Sequence, residues 1–314
     1  TQTAGLGFNG YGTAYSNATE EYDGTSWAGG GNTPDSVYGR KGAGTQTAGL
    51  ACGGGVIPSP GSVTTTLTYD GTSWSPVNSL NTKRYVHGTT GTQTAALAFG
   101  GSSYSNPFTA ATESWNGTSW TTVPGTMNTT RAGFAGVGIQ GATLAFGGEL
   151  PSPPYANKYF TESWNGTSWT TVNSLNTGRT GLGGAGTQTA ALAFAGGTVP
   201  TYSTATESYN GTSWTTVNSV NTGRGIFGNA GTQGASFMFG GQLPSTNQSQ
   251  ATENWNGTSW SNGTNYPAFG YHKAAGTQTA AITLIGQTSP DGNPGSAQTY
   301  PGGANTYDGT SYSS

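Results

Sequence analysis

The stretch Asn116 to Trp120 (Asn-Gly-Thr-Ser-Trp) recurs with small changes seven times, at Asp23–Trp27, Asp70–Trp74, Asn116–Trp120, Asn165–Trp169, Asn210–Trp214, Asn256–Trp260 and Asp308–Tyr312. A second marker, Gly-Thr-Gln, keeps step with it at Gly44, Gly91, Gly186, Gly231 and Gly276, with a degraded copy at Gly138 and a truncated one at Thr1. Two markers in lockstep mean one copied unit. Successive positions of the final aromatic lie 45 to 52 residues apart, a period that fits four-stranded propeller blades better than helical solenoids or leucine-rich repeats.

Within the cleanest copy, 176–220, local chemistry marks four strands. Arg179–Gly186 is Gly-rich and small, Thr189–Gly197 is apolar, Ala205–Tyr209 alternates, and Ser213–Val217 follows an Asn-Gly pair. Asn-Gly predicts a type I′ hairpin between the last two, and Gly186-Thr187-Gln188 predicts a short connection between the first two. The unit is therefore an antiparallel meander. A lone sheet with two apolar faces cannot bury both, whereas sheets arranged radially bury each against a neighbour. The expected fold is all-β, a seven-bladed propeller forming one domain over 1–314. Its blades fall at about 1–34, 35–80, 81–127, 128–175, 176–220, 221–265 and 266–314. Gly and Ala before Gly-Thr-Gln read as an innermost strand crowded at the axis. Nothing before Thr1 supplies such a strand to the first blade, so an upstream segment is expected to carry it.

Composition narrows the function. Charged residues are 7% of the chain against about 25% in an average soluble protein. Low charge and 55 Gly are also features of disordered chains, but 9 Trp, 16 Tyr and 11 Phe placed in register provide a core. A net charge of −3 without a basic cluster argues against nucleic acid as partner. No apolar run is long enough for a membrane-spanning helix, so membrane insertion is not expected. The single Cys52 cannot form an internal disulfide, and the two histidines, His87 and His272, sit in no ligand-spaced motif, so neither metal nor cofactor is expected. Cys52 takes the slot of Phe99, Phe146 and Phe194 and reads as a packed core thiol.

The order Gly100-Gly101, Glu113, Trp115, Trp120, Arg131, repeated in most copies, resembles kelch repeats over the whole chain. The wording Ala-Thr-Glu-Ser-Trp-Asn-Gly-Thr-Ser-Trp further resembles kelch-like arrays in structural proteins of marine bacteriophages. That resemblance implies a virion or tail-fibre role. Copper-radical oxidases share the kelch-type propeller, but the paired His ligands and the Tyr crosslinked to Cys that such a resemblance requires fit this inventory poorly. Blade 2 departs from the pattern with Leu67 in place of Glu, and blade 7 with Asn305.

Glu20, Glu113, Glu162, Glu207 and Glu253, with Arg40, Arg84, Arg131, Arg179 and Arg224, read as structural ion pairs, since a partly buried charge without a partner costs roughly 3 to 5 kcal/mol. The competing reading is an Arg-lined anion or sulfated-sugar site at the channel mouth. Asn17, Asn116, Asn128, Asn165, Asn210, Asn247, Asn256 and Asn262 fit the glycosylation pattern, but Asp replaces Asn in three of the repeated turns, so turn chemistry explains those better.

The copies differ mainly in the loops between second and third strands: Asn9–Asn17, Gly55–Thr65, Ser102–Thr109, Glu149–Tyr159, Thr198–Thr204, Gln242–Gln250 and Gln287–Ala304. Antiparallel order puts these loops on one face, which is where a rigid scaffold selects partners. Tyr11, Tyr15, Tyr104, Phe108, Tyr155, Tyr159, Tyr202 and Tyr300 lie there as candidate ligand-stacking residues, or as covers of the blade tops. The expectation is a noncatalytic virion-surface or extracellular module that contacts a host glycan or another virion protein. The alternative is a secreted carbohydrate-active enzyme using irregular acids such as Asp35, Glu149 and Asp291. An intracellular kelch adaptor fits less well, because no adaptor or oligomerisation segment accompanies the repeats.

Overall fold

The computed structural model describes residues 5–11, 15–22, 27–56, 61–103, 108–151, 159–198, 201–244, 248–265, 271–277, 280–287, 304–308 and 310–313. The regular elements among them are all strands. In the repeat around Trp115 the order is Gly88–Gly91, Ala96–Phe99, Thr112–Trp115, Trp120–Val123, an antiparallel meander with Leu97 opposite Ser114 and Trp115 opposite Trp120. The sheets at 41–77, 135–172, 183–217 and 228–262 repeat this order. A three-stranded sheet (Gly5–Tyr11, Tyr15–Tyr22, Trp27–Gly29) precedes these five, and a four-stranded one beginning at Tyr271 follows. Innermost strands lie side by side in chain order, and Gly5–Tyr11 lies against Ala280–Gln287. The arrangement is a β-propeller.

Aromatic side chains fill the spaces between blades. At the third-to-outer hairpin of the five sheets between 41 and 262 two rings meet, as Trp115 and Trp120 do at 5.3 Å and Tyr209 and Trp214 at 5.0 Å. The Phe ending a second strand then packs on the Trp of the next blade: Phe8 on Trp74, Phe99 on Trp169, Phe146 on Trp214 and Phe194 on Trp260, all near 5 Å. Burying each such Phe contributes about 1.5–3 kcal/mol.

The same Phe rings help explain the small inner strands, and neighbouring inner strands crowd one another as well, since a methyl group on Gly184 would stand 2.8 Å from Ala135 Cβ. A methyl group on Gly42, Gly136 or Gly184 would stand 2.8–2.9 Å from the ring tip of Phe8, Phe99 or Phe146 in the preceding blade. Two blades depart from this: Asn229 takes the position although Phe194 stands in the preceding blade, and its amide donates to Gly184 O at 2.9 Å. Where Cys52 replaces the ring, the matching residue of the next blade is Thr89, whose hydroxyl lies 3.8 Å from the thiol, with His87 Nε2 at 3.7 Å.

Both sequence markers join blades. The Gln of Gly-Thr-Gln reaches back into the preceding blade: Gln93 Nε2 donates to the carbonyls of Gly49 and Tyr69, and Gln140 Nε2 to those of Ala96 and Trp115. Its own carbonyl accepts the indole N–H of its blade's Trp, as Gln93 does from Trp115 at 2.7 Å. The marker Trp also reaches back. Trp120 donates to Thr66, Trp169 to Thr112, Trp214 to Thr161 and Trp260 to Thr206, at 2.8–2.9 Å. Tyr312, the variant form of the marker, puts its hydroxyl 2.5 Å from that of Thr252 and so keeps the bond.

The Asn-Gly turns are not type I′. Only the Gly has positive φ (Gly71, Gly117, Gly166, Gly211 and Gly257, between 91° and 96°), so the loop spans four residues, closed by Asn116 N donating to Ser119 O. The Asn side chain supplies the rest: Asn116 Oδ1 accepts the backbone N–H groups of Thr118 and Ser119, both at 2.9 Å. An acceptor oxygen is what the position needs, which explains why Asp70 makes the same two bonds.

Candidate functional site

The connection from one blade to the next places an arginine under the variable face four times. Arg84 pairs with Glu113 at 2.6 Å, Arg131 with Glu162 at 3.1 Å, Arg179 with Glu207 at 2.8 Å and Arg224 with Glu253 at 2.7 Å. These side chains are essentially 0% exposed. Burial pulls the guanidinium pKa values of all four down, to about 10 for Arg131 and Arg179, while the facing carboxylates hold them up. All four stay charged at neutral pH.

Each fork does a second job. Arg84 Nη1 donates to Gly100 O and Ala111 O, the two ends of its blade's variable loop. Arg131 does the same to Gly147 O and Phe160 O, and Arg179 to Ala195 O and Ala205 O. Glu113 in turn accepts the backbone N–H groups of Asn81 and Thr82, which fixes the incoming connection. Charge here clamps loop bases, and no anion can reach these four arginines.

Arg40 does not belong to this set, although the sequence groups it there. The backbone bridge that follows the arginine slot is Tyr85 to Ser102 in one blade and Tyr38 to Gly55 in the preceding one, so the residue matching Arg84 is Val37. Val37 and Leu67 are both fully buried, and this blade has an apolar residue in each slot of the ion pair. Arg40, three residues on, takes a bidentate grip on Asp35 (2.7 Å to each oxygen) and still donates to Gly53 O at the loop base. Asp35 also accepts from Thr65. The backbone of Glu20, opposite Gly7, sits in the register position of Glu113; its side chain lies outside the described residues.

Among the candidate stacking residues, Tyr159 is 50% exposed and packs its ring on Phe160 at 5.3 Å. Phe108 is half-buried. Tyr202 lies on a small two-stranded ribbon, Gly197–Thr198 with Thr201–Tyr202, that leans over the next blade. Its ring lies against Gly225 and its hydroxyl donates to Gln242 at 2.9 Å, so it serves largely as a cover. Tyr11 and Tyr15 face one another in register where their two strands join. Their side chains, and Tyr104, Tyr155 and Tyr300 altogether, lie outside the described residues. These tyrosines are therefore not gathered into one observed site.

The residues considered for catalysis do not assemble one either. Burial pushes the Cys52 thiol up to about 11 and holds His87 well below its ordinary value, leaving both uncharged in the core. Asp35 is held by Arg40, and half-burial raises the Glu149 carboxyl. Asp291 and the His272 side chain lie outside the described residues. Among the described residues no three His, Cys, Asp or Glu side chains group as a metal site. No protein-family model and no curated protein matches this chain.

The rim holds residues that sequence reading missed. Gly39, Val86, Gly133, Gly181 and Ile226 occupy one position just before the inner strands, all with φ between 45° and 64°. Gly133 N donates to Val86 O and Gly181 N to Gly133 O, which ties neighbouring blades around the mouth. Val86 and Ile226 are 38% and 47% exposed, two β-branched side chains in a left-handed conformation that glycine adopts more readily. Comparing the copies position by position would have found them, since Gly stands at the other three.

Proposed function

We propose that this chain is a noncatalytic display scaffold: a closed, seven-bladed propeller of kelch type, presenting its variable face to a partner on a cell or particle surface. The observation that carries this reading is the arginine clamp. Four of the few cations are buried beneath the variable face; three hold both ends of a loop whose contents differ from blade to blade, and Arg224 holds the far end of its loop through Ser249 and Ala251. A scaffold that fixes loop bases while loop contents vary suits recognition. The partners proposed are a host-surface glycan or another protein of a virion, in keeping with the resemblance to phage kelch-like arrays. With the deep arginines closed off, an uncharged glycan fits better than a sulfated one.

The test is a broad glycan array with the purified protein and its Tyr104→Ala, Phe108→Ala, Tyr155→Ala, Tyr159→Ala variant. Binding that the variant loses supports glycan recognition on this face. Turnover of a bound glycan would overturn the noncatalytic reading in favour of a carbohydrate-active enzyme, and binding that survives in the variant would move the site elsewhere.

A further inference from the structure

On the face opposite the variable loops, four exposed turns carry Asn-Gly: Asn116, Asn165, Asn210 and Asn256. The side-chain amide of each points its oxygen into backbone donors. Asn116 Oδ1 accepts from Thr118 N and Ser119 N at 2.9 Å, and Asn165, Asn210 and Asn256 make the equivalent pairs at 2.9–3.0 Å. In two turns the Thr hydroxyl adds a third donor, Thr118 to Asn116 at 3.0 Å and Thr167 to Asn165 at 2.9 Å. The amide N–H groups of Gly117, Gly166, Gly211 and Gly257 donate to nothing among the described residues.

We infer that these four turns are self-promoting deamidation sites, converting Asn to an acidic residue in the folded protein. The Gly nitrogen attacks Cγ of the preceding Asn and loses its proton to solvent. Nδ2 departs as ammonia with a proton taken from solvent, leaving a five-membered succinimide. Water then opens either carbonyl, giving aspartate or isoaspartate. During attack the negative charge develops on Oδ1, where two backbone donors already stand at 2.9–3.0 Å, joined by a hydroxyl at Asn116 and by two at Asn165. The aspartate product has a place prepared for it: Asp70 and Asp308 hold the same position and accept the same two backbone donors at 2.7–2.9 Å. Full conversion adds four negative charges and takes the formal net charge from −3 to −7, all of it on one face.

The chain contains its own control. Asn262-Gly263 is also an Asn-Gly pair, but its Gly N–H donates to Thr252 O at 2.9 Å and, among the described residues, its Oδ1 accepts only the Asn221 side-chain amide. The experiment incubates the folded chain at mildly alkaline pH and maps deamidation by peptide mass spectrometry, with a parallel sample in denaturant. Conversion at the four turn sites should outrun that at Asn262 by on the order of tenfold or more in the folded sample, and denaturant should close the gap. Equal rates at Asn262 in the folded chain, or turn sites that react more slowly folded than unfolded, would overturn the inference. Thr118→Val removes the third donor at Asn116 and should slow that site relative to Asn165 in the same molecule; an unchanged ratio would remove the oxyanion argument.

Discussion

Arg131 and Glu162 offer a direct measure of what the buried clamp contributes, because the blade at 41–77 shows the same two slots filled by Val37 and Leu67. Arg131→Val alone leaves the Glu162 carboxylate buried with the Asn128 N–H as its remaining donor, and should cost about 3–5 kcal/mol. Glu162→Leu alone strands a buried guanidinium and should cost a similar amount. In the double variant both charges are gone. Phe160 O keeps Gly147 N as a donor, while Gly147 O loses the donor that Arg131 supplied and the Asn128 N–H loses the Glu162 acceptor, each loss worth about 1–3 kcal/mol if water does not replace it. The double variant should therefore be more stable than either single one, with a coupling of about 3 kcal/mol or more. Urea unfolding of the four proteins, followed by Trp fluorescence, gives the cycle. Additive losses, with the double variant the least stable, would refute the claim that the Val37 and Leu67 blade is an apolar replacement for the ion pair.

Val86→Gly should raise the urea midpoint, because relieving a left-handed β-branched residue returns about 1–2 kcal/mol, less about 0.4–1 kcal/mol from the freer unfolded chain; a lowered midpoint would show that Val86 packs usefully at the rim. The Asp70 carboxyl is held below its ordinary 3.8 by the Ser73 and Thr72 N–H groups, so its contribution to stability is complete above pH 3.8 and fades as pH falls through the lower folded value. Carboxyl titration by NMR should find it among the most acidic Asp side chains, and Asp70→Asn should remove that part of the acid dependence while keeping the turn.

Much of the fold was legible because it is written several times. The marker Trp, the Gln of Gly-Thr-Gln and the Phe of the second strand recur at fixed offsets, and each makes the same contact in blade after blade. Legibility failed where one copy departs by a shift. Arg40 looked like a fifth clamp because it too precedes a Gly-rich strand, as Arg84, Arg131, Arg179 and Arg224 do, and only the backbone pairing of Tyr38 with Gly55 shows that its place is three residues late. The Asn-Gly turns were read through backbone dihedrals, when the side-chain oxygen was the deciding group. The candidate binding face was harder still. Its aromatics lie in the segments that do not repeat, so no second copy was available to separate a cover such as Tyr202 from an exposed ring such as Tyr159.

Among the described residues, the Trp and Gln bonds between blades run in one direction along the chain, each from a later blade to the one before it. During synthesis a blade emerges with its Thr hydroxyl and its strand-end carbonyls still open, and these are closed only when the next copy arrives. Growth therefore resembles laying courses of brick, each course locking the one beneath. A ribosome stalled part-way would leave two open blades, the newest at the growing end and the first, whose Gly5–Tyr11 strand waits for Ala280–Gln287, with those between already sealed.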